Sequence, residues 1–288
     1  MKLFVTGATG FVGSHFVRQA LAAGHEVVAL RRSSSSKPRV PFARSPIWLE
    51  KPMDRLVAAD FAGVEVVVHL AAHTPNVPYD TLENCLYWNL TVPLGFMREA
   101  VKAGVVRFTA AGSCFEYGAA AERYERVPPD APLEPTLSYP TSKAAAAVAF
   151  RALASELGLY FRVCRIFQVY GEGEQASRFW PALGRAARNG EDFKMSAGEQ
   201  IRDFIDVQEV AMQLLDGLDF TEVEPGAIDV CNLGNGRPQS LRDFAVSWWQ
   251  KWDAKGLLQL GAVPYRPGEI MRLVPEVKAR LSSGADSK

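Results

Sequence analysis

The chain has 288 residues, 48% of them apolar, and its 32 Lys and Arg balance 32 Asp and Glu, so the formal net charge is zero. This composition is typical of a folded globular protein with a sizeable core, organised as one large domain or two closely packed ones. A balanced charge gives no electrostatic attraction for nucleic acid or for an anionic membrane, and we expect neither as a partner. Four scattered cysteines, without CxxC or Cys/His ligand spacing, argue against a disulfide scaffold and a metal site.

The amino terminus carries no recognisable targeting signal. Met1–Gly7 is typical of a strand that leads into a glycine loop, and it lacks the apolar run of a signal peptide. No stretch approaches the roughly 18 consecutive apolar residues of a membrane span. The sequence therefore predicts a soluble, cytoplasmic protein.

Short apolar runs alternate with helical patterns over the first two thirds of the chain. Strands that are apolar throughout and separated by helices predict an α/β fold, here a Rossmann-type doubly wound parallel sheet covered on both faces. The predicted strands are Lys2–Thr6, His25–Leu30, Val64–Leu70, Val106–Ala110, Tyr160–Ile166 and Ile228–Asn232. The predicted helices are Gly13–Ala23, Thr81–Ala103 (bent near Pro93), Ser142–Leu157, Arg178–Asn189, Val207–Leu218 and Ser240–Trp252.

The pattern becomes mixed after about Gly171, and a hairpin-like stretch is expected before Asp203. We expect residues 1–170 to form the dinucleotide-binding domain, with parts of about 200–235 returning to it. Residues 171–288 are expected to form a smaller, mixed substrate-binding lobe. The polar insertions Arg31–Pro46 and Tyr124–Ser138 are predicted loops, and Ser282–Lys288 is expected to fray.

A glycine loop joins the first predicted strand to the first predicted helix, with Gly7, Gly10 and Gly13 in GxxGxxG spacing. The first glycine permits a tight turn, the second lets the backbone approach a pyrophosphate, and the third lets the helix pack on the strand. The helix N-terminus then faces the phosphates with its N–H groups and the positive end of its dipole. The expected dinucleotide contacts are Gly7, Thr9, Gly10, Phe11, Val12 and Gly13.

The end of the second predicted strand indicates which dinucleotide binds. NAD enzymes place an acid about 20 residues beyond the loop to hold the ribose 2′-hydroxyl, whereas this chain has Arg31 and Arg32 and no acid beside them. Two guanidinium groups suit a 2′-phosphate, so the sequence predicts NADP(H) rather than NAD(H). The alternative is a solvated basic loop.

Tyr139 and Lys143 are four residues apart at the start of a helix, a spacing that places both on one face. A phenol, with a pKa near 10, exchanges protons poorly at neutral pH, and a neighbouring ammonium lowers that pKa by stabilising the phenolate. Ser113 lies just after the fourth predicted strand. Together with the glycine loop, these residues form a candidate proton-transfer site.

These motifs resemble, in order, those of the extended short-chain dehydrogenase/reductase family, in its nucleotide-sugar branch of epimerases, dehydratases and 4-keto reductases. The resemblance runs from Met1 to about Leu281. It implies that Tyr139 is the general acid/base, Lys143 its pKa-lowering partner and a ligand of the nicotinamide ribose, and Ser113 a hydrogen-bonding partner of the reacting sugar oxygen. The matching segments are Thr6–Gly13, His69–Ala72, Asn89, Gly112–Gly118, Tyr139–Lys143, Arg165–Gly171, Arg202–Val207, Asn232–Gly236 and Arg266–Glu269.

The same resemblance implies binding residues. Arg202 and Arg266 would contact a nucleotide diphosphate, and Gln168 stands where the family commonly has Asn. The catalytic helix of this family often pairs with that of a second copy, so a homodimer is expected. Further expected cofactor contacts are Leu70, Ala71, Ala72, Asn89, Tyr139 and Lys143. The expected substrate contacts are His73, Ser113, Cys114, Phe115, Gln168, Arg178, Arg202 and Arg266.

Departures from the family pattern narrow the expected reaction. In 4,6-dehydratases an Asp and a Glu follow the Ser/Thr, and here Cys114 and Phe115 stand there, neither of which supplies carboxylate chemistry. Enzymes that also invert neighbouring ring carbons use a second acid/base pair, often Cys and His, and Gly171–Ala187 contains no histidine. Arg31 and Arg32 favour exchangeable NADPH, and hence net reduction, over the retained NAD of a 4-epimerase.

The sequence therefore predicts an NADPH-dependent reductase of a nucleoside-diphosphate 4-keto-6-deoxy sugar, with hydride delivered to C4 and a proton donated by Tyr139. Three alternatives stay open: a 4-epimerase of the same family, a reductase of a non-nucleotide carbonyl compound, and an NADP(H)-binding regulator without turnover. Trp248, Trp249 and Trp252 are predicted to be core rather than a ligand platform.

Overall fold

The computed structural model describes residues 1–277, so Ser282–Lys288 lies outside the described residues. The strands are β1 (Lys2–Thr6), β2 (Glu26–Arg31), β3 (Ile47–Glu50), β4 (Val66–His69), β5 (Arg107–Ser113), β6 (Tyr160–Ile166), β7 (Gln168–Tyr170), β8 (Phe193–Lys194), β9 (Ile201–Arg202), β10 (Phe204–Asp206), β11 (Ile228–Leu233), β12 (Gln239–Ser240), β13 (Leu258–Gln259) and β14 (Arg272–Leu273). The α-helices are α1 (Phe11–Ala22), α2 (Leu82–Leu86), α3 (Val92–Lys102), α4 (Ser138–Leu157), α5 (Phe179–Asn189), α6 (Val207–Asp216) and α7 (Leu241–Lys251).

Seven strands form the central sheet in the order β11-β6-β5-β4-β1-β2-β3, and every neighbouring pair is parallel. The predicted Rossmann-type doubly wound sheet is confirmed. The strand order reverses between β1 and β4, and open α/β sheets bind their ligands beyond the carboxyl ends of the strands at such a point. The glycine loop leaves β1 at this edge, so the topology places it where a dinucleotide is expected.

Apolar side chains cover both faces of the sheet, which explains why its strands are apolar throughout. In β1, Phe4 joins the cluster formed with α3 and α4, whereas Leu3 and Val5 join the cluster formed with α1 and α6. Phe96 of α3 and Phe150 of α4 fill the first of these clusters. Within residues 1–277 no helix is long and apolar enough to cross a membrane.

A third group of apolar residues lies in the carboxyl-terminal part of the chain, between α5 and α7. Trp249 is buried there, and Trp248 and Trp252 pack against the same cluster, as predicted. The expected hairpin before Asp203 is wrong: β8 pairs in parallel with β13, and β9 lies between β12 and β14. Each of these short strands pairs with a segment much later in the chain, and local turn signals cannot reveal such pairing. The division of the chain near residue 170 stays a prediction.

Three local differences from the predicted elements bear on the site. The edge strand β3 was not predicted, and it brings Glu50 into register beside Arg31. The α4 helix begins at Ser138, so Tyr139 and Lys143 both lie inside it. The expected break or bend near Pro93 coincides with a π-helical turn over Tyr87–Thr91, which joins α2 to α3 and lies immediately before the proline.

Candidate active site

The loop between β1 and α1 has the close approaches that its glycine spacing predicts. Gly7 has a φ of +72°, and a Cβ atom there would lie 2.5 Å from the backbone nitrogen of Ala71 and 2.6 Å from the carbonyl carbon of Leu70. A Cβ atom on Gly13 would lie 2.0 Å from the carbonyl oxygen of Gly7. Glycine is therefore required at both positions, and the expected cofactor residues on either side of the β1–β4 junction come together.

The amino terminus of α1 is open to an anion. Gly10 is its N-cap, no side chain caps the helix, and its first turn contains no acid. The unpaired N–H groups and the positive dipole end therefore remain available to a pyrophosphate. Thr9, Phe11 and Val12 lie half-buried around this end. The donor set and the space that the glycines leave fit a dinucleotide.

At the end of β2 the two arginines have different surroundings. The Arg31 Nε donates to the Glu50 carboxylate at 3.1 Å, and its guanidinium lies 4.5 Å from the centre of the Trp48 ring. Arg32 is exposed and forms no ion pair with another residue of the described chain. The expectation that no acid stands here is wrong, because the unpredicted β3 supplies Glu50. Arg32 is thus the cation that a 2′-phosphate could reach without displacing a carboxylate.

Ser113, Tyr139 and Lys143 come together from the end of β5 and the first two turns of α4. All three are buried, with exposed fractions of 7%, 6% and 3%. The Ser113 hydroxyl lies near the Tyr139 phenol and lowers its pKa. The predicted proton-transfer group is therefore assembled in the fold, beyond the carboxyl edge of the sheet.

Burial governs the protonation of this group. It raises the pKa of the Tyr139 phenol above its usual value, and the charge of Glu116 raises that pKa further, while the Ser113 hydroxyl lowers it. Burial lowers the pKa of the Lys143 ammonium, and Glu116 opposes that change. Desolvation of the phenolate is the largest influence on the Tyr139 pKa, and the lowering of that pKa by Lys143 stays a prediction.

A buried polar network underlies Ser113, and its members were not predicted as site residues. The Glu116 carboxylate accepts the Ser113 backbone N–H at 2.7 Å and the Arg165 Nε–H at 2.7 Å. The Arg165 guanidinium also donates to the Tyr117 hydroxyl at 3.0 Å, which donates to the Asn232 amide oxygen at 2.6 Å. The sequence does show an acidic residue, Glu116, within Gly112–Gly118 and shortly after the strand. Only the fold shows which groups its carboxylate contacts.

The loop after β4 is held by two residues that were expected to contact ligands. The Asn89 side chain accepts the His73 backbone N–H at 2.7 Å and donates to the His73 carbonyl and to the Ser142 hydroxyl. The His73 ring lies 2.7 Å from a carboxylate oxygen of Asp80. Asn89 therefore ties the loop to α4, and His73 closes the loop on Asp80, while Ala72 lies exposed directly after the strand.

Tyr79 packs against Tyr139. Its ring centre lies 5.4 Å from that of Tyr139, and the charges of Arg178 and Arg266 act on its phenol. Nothing in the sequence marked Tyr79, because a single aromatic residue in a loop belongs to no motif. Burial raises the pKa of the neighbouring Cys114 thiol to about 12, so it is a neutral wall residue at physiological pH.

Three expected substrate arginines converge on this region from separate segments of the chain. The charges of Arg178 and Arg202 both act on Cys114. Arg202 donates to the Glu269 carboxylate at 2.9 Å, and Arg178 donates to the Asn76 side chain at 2.9 Å. The remaining expected contacts lie nearby in the fold: Phe115 packs on the small cluster around Cys114, and Gln168 is the half-buried first residue of β7.

The parallel sheet, the glycine loop and the Ser/Tyr/Lys group together define a Rossmann-type oxidoreductase of the extended short-chain dehydrogenase/reductase kind. The family model described as "NAD dependent epimerase/dehydratase family" matches residues 3–230. The chain belongs to that family.

Similar proteins come from several sources. One is a "Putative UDP-glucose 4-epimerase" of Methanocaldococcus jannaschii, 25% identical over 98% of this chain and 92% of the relative. Another is a "CDP-abequose synthase" of Salmonella muenchen, 24% identical over 94% of this chain and 87% of the relative. A solved structure, "MoeE5 in complex with UDP-glucuronic acid and NAD", is 28% identical, covers 96% of this chain and 90% of its own, and has a TM-score of 0.81.

Proposed function

We propose that the protein is an NADPH-dependent reductase of a nucleoside-diphosphate 4-keto-6-deoxy sugar. The observation that carries the proposal is the composition of the reacting site. Ser113 and Tyr139 lie together as one proton-transfer pair, and burial raises the pKa of the adjacent Cys114 thiol to about 12, so it supplies no second base at neutral pH. A site with one working acid suits carbonyl reduction better than elimination or inversion at a neighbouring carbon.

The chemistry follows from the positions of the three side chains. The Ser113 hydroxyl donates to the C4 carbonyl oxygen and stabilises the charge that develops there. Tyr139 delivers its proton to the same oxygen, and the Lys143 ammonium stabilises the phenolate that remains. The dinucleotide, when bound, supplies the hydride that C4 accepts.

Cofactor choice rests on the end of β2. Arg32 is exposed and Arg31 is partly neutralised by Glu50, so the proposed preference for NADP(H) depends mainly on Arg32. The residues that would hold the dinucleotide are the glycine loop, the open N-terminus of α1, Leu70 and Ala71 at the β4 edge, and the ammonium of Lys143. NADP(H) itself remains our proposal, since the related structure MoeE5 is described with NAD.

A nucleotide-sugar substrate is supported by the arginines that meet beside Tyr79 and Cys114. Arg178, Arg202 and Arg266 come from separate segments of the chain, and their charges act on Tyr79 and Cys114. Arg178 is paired with Glu174 and Arg202 with Glu269. Guanidinium groups suit a diphosphate because they donate in pairs to its oxygens. The names of the relatives, which describe CDP- and UDP-linked sugars, support the same substrate class.

The test is to supply the purified protein with NADPH and a panel of nucleoside-diphosphate 4-keto-6-deoxyhexoses. We expect stoichiometric consumption of NADPH with one of them and a 4-hydroxy product whose other ring carbons are unchanged. A carbonyl compound without a nucleotide serves as the control and should be reduced poorly. Entry of solvent deuterium at C3 or C5 would exclude the reductase.

A 4-epimerase of the same family is the second candidate, and Glu50 is the observation that favours it. An acid beside Arg31 could hold the 2′-hydroxyl of NAD if the guanidinium moved aside. Under this alternative, two nucleotide sugars would interconvert with no net change in NADPH. Dinucleotide extracted from the purified protein would then be NAD rather than NADP.

We also propose that the protein is a cytoplasmic homodimer that pairs through α4. Val148, a large apolar residue, is 63% exposed on this helix. Light scattering on the wild type and on Val148→Glu tests the pairing, and we expect the variant to shift toward the monomer. A monomeric wild type would exclude it.

A further inference from the structure

The Arg178 guanidinium is held by acceptors on two of its three nitrogens. Its Nε–H donates to a carboxylate oxygen of Glu174 at 3.2 Å, and its Nη1–H donates to the side-chain oxygen of Asn76 at 2.9 Å. Within residues 1–277 no acceptor takes a hydrogen bond from Nη2, and 33% of the side chain is exposed. The guanidinium is therefore fixed in orientation, with one nitrogen left for a ligand.

Glu174 has the surroundings of a residue that serves Arg178. Its side chain is only 6% exposed, and one of its carboxylate oxygens is buried without a hydrogen-bond partner in the described part of the chain. Burial of an incompletely paired carboxyl group lowers stability, so packing alone does not explain an acid at this position. Its other oxygen accepts the Arg178 Nε–H, and this contact is the task that the structure shows for it.

Asn76 joins the segment that carries Arg178 to the loop beside the reacting group. Its side-chain N–H donates to the Gln175 side chain at 2.6 Å, while its oxygen accepts from Arg178. Tyr79 lies three residues further along the same loop, and its ring centre is 5.4 Å from that of Tyr139. The Asn76 contacts therefore fix Arg178 against the loop that borders the proposed proton donor.

The backbone around Arg178 is anchored independently of these side chains. Arg178 is the N-cap residue of α5, and its backbone N–H donates to the Gln175 carbonyl at 2.8 Å. Near the other end of the segment, the His15 ring donates to the Glu172 carbonyl at 2.8 Å. Removal of the Asn76 side chain should therefore free the guanidinium while the segment itself keeps its place.

We propose that Glu174 and Asn76 are positioning residues that hold Arg178 ready to bind the diphosphate of the substrate. An arginine loses rotamer freedom when it binds a ligand, and one that its neighbours have already ordered loses less. Guanidinium N–H groups form charge-assisted hydrogen bonds with phosphate oxygens, and Nη2 is the donor left for them. The inference rests on the proposed nucleotide-sugar substrate, but not on the direction of the reaction or the choice of dinucleotide.

The test is a double-mutant cycle on the binding of CDP, UDP, GDP and dTDP, measured by calorimetry without a dinucleotide. Arg178→Ala should weaken the binding of the preferred nucleotide about 10–100-fold, the range of a charge-assisted hydrogen bond. Asn76→Ala should weaken it about three- to tenfold, because Arg178 then has to be ordered by the ligand. In the Arg178→Ala background, Asn76→Ala should have no further effect, since the side chain that it orients is gone.

Asn84→Ala is the matched control. Asn84 lies in α2, directly after the same loop, and its side chain donates to Asp80 rather than to Arg178. This variant should bind the nucleotide as the wild type does. Asn76→Asp keeps an oxygen that can accept from Arg178 and should retain most of the affinity, and it repeats the comparison if Asn76→Ala does not fold.

Turnover gives a second readout that loss of stability would not reproduce. Asn76→Ala should raise KM about three- to tenfold and leave kcat almost unchanged, because the contact it supports is made before and during the reaction alike. Additive losses in the double variant, or equal losses in Asn84→Ala and Asn76→Ala, would overturn the positioning role. If the wild type binds none of the four nucleotides, the nucleotide-sugar substrate is refuted, and with it the ligand assigned to Arg178.

Discussion

The cofactor side and the substrate side of the cleft are built in different ways. The cofactor side depends on Gly7, Gly10 and Gly13, which lie within seven consecutive residues, and on the strand and helix that flank them. The substrate side brings Arg178 to Asn76 across 102 positions of the chain, and its charge reaches Tyr79 nearby. A local motif can be recognised in the sequence because its geometry is set by adjacent residues, whereas a site assembled from separate loops depends on the whole fold.

The largest effect should come from the substrate side, where Tyr139→Phe removes the proton donor but keeps the ring that packs against Tyr79. We expect kcat to fall by about 10²–10⁴-fold, the usual contribution of a positioned acid. Dinucleotide affinity, measured by fluorescence titration, should change little. Tyr79→Phe is the control for the aromatic contact and should retain most of the turnover. Near-normal turnover in Tyr139→Phe would place the acid elsewhere.

On the cofactor side, Gly7→Ala should lower both the free energy of unfolding and the affinity for the dinucleotide. A Cβ atom would lie 2.5 Å from the backbone nitrogen of Ala71, and the φ of +72° disfavours a side chain. We expect the free energy of unfolding to fall by about 2–4 kcal/mol in urea titrations.

Gly24→Ala is the matched control for this change. Gly24 has a φ of +84°, but a Cβ atom added to it would meet no heavy atom within 4 Å. This variant adds conformational strain but no steric clash. The free energy of unfolding should therefore fall by only about 1–2 kcal/mol, and the affinity for the dinucleotide should be unchanged. Equal losses in the two variants would show that the close approach to the β4 edge is unimportant.

The free energy of unfolding should depend on pH through His69, which lies beneath the cofactor side. Burial lowers the pKa of its imidazole to about 3. Between pH 6.5 and pH 3 the imidazole is therefore protonated in the unfolded chain but neutral in the folded protein. The stability due to the neutral imidazole is complete above pH 6.5 and is lost progressively as the pH falls toward 3. At pH 5 the loss from this group is about 2 kcal/mol.

Urea unfolding of the wild type and of His69→Asn at pH 7 and pH 5 measures this contribution. The variant should lose less stability than the wild type on acidification. His73→Asn, at a half-buried position paired with Asp80, serves as the comparison and should keep most of the wild-type loss. An unchanged pH dependence in His69→Asn would assign the acid sensitivity to other groups.

The smallest effect concerns cofactor choice. Arg32→Ala should reduce the preference for NADPH over NADH by about tenfold, the equivalent of one charge-assisted contact at an exposed position. Lys37→Ala, another exposed cation in the same loop, should leave the ratio of the two affinities unchanged. Equal affinities for both dinucleotides in the wild type would contradict the proposed role of Arg32.

The success of the strand predictions depended on burial. Lys2–Thr6 and Tyr160–Ile166 were predicted with the bounds that the structure has, because both strands are covered on two faces and are rich in apolar residues. The edge strand Ile47–Glu50 was missed because it is only four residues long and half-exposed. That omission hid the Arg31–Glu50 pair, the feature that most affects the expected cofactor.

The start of α4 was predicted four residues late for a related reason. Tyr139-Pro140 resembles the end of a loop, since proline is common there, but the first turn of a helix also accepts proline because its N–H groups need no partner. The helix therefore begins at Ser138 and carries Tyr139 on an ordered turn. The spacing of Tyr139 and Lys143 was correct although the helix boundary was not.

The sequence by itself determined the sheet type, the glycine loop and the spacing of Tyr139 and Lys143, because each depends on local periodicity or on spacing within a few residues. The resemblance to a known family added Ser113 to that group. Only the tertiary structure decided how those groups are charged and what surrounds them. Glu116 lies under Ser113, Glu50 beside Arg31 and Tyr79 against Tyr139 because separate segments pack together. Burial then shifts protonation by removing water, and no local pattern encodes how much water a residue loses.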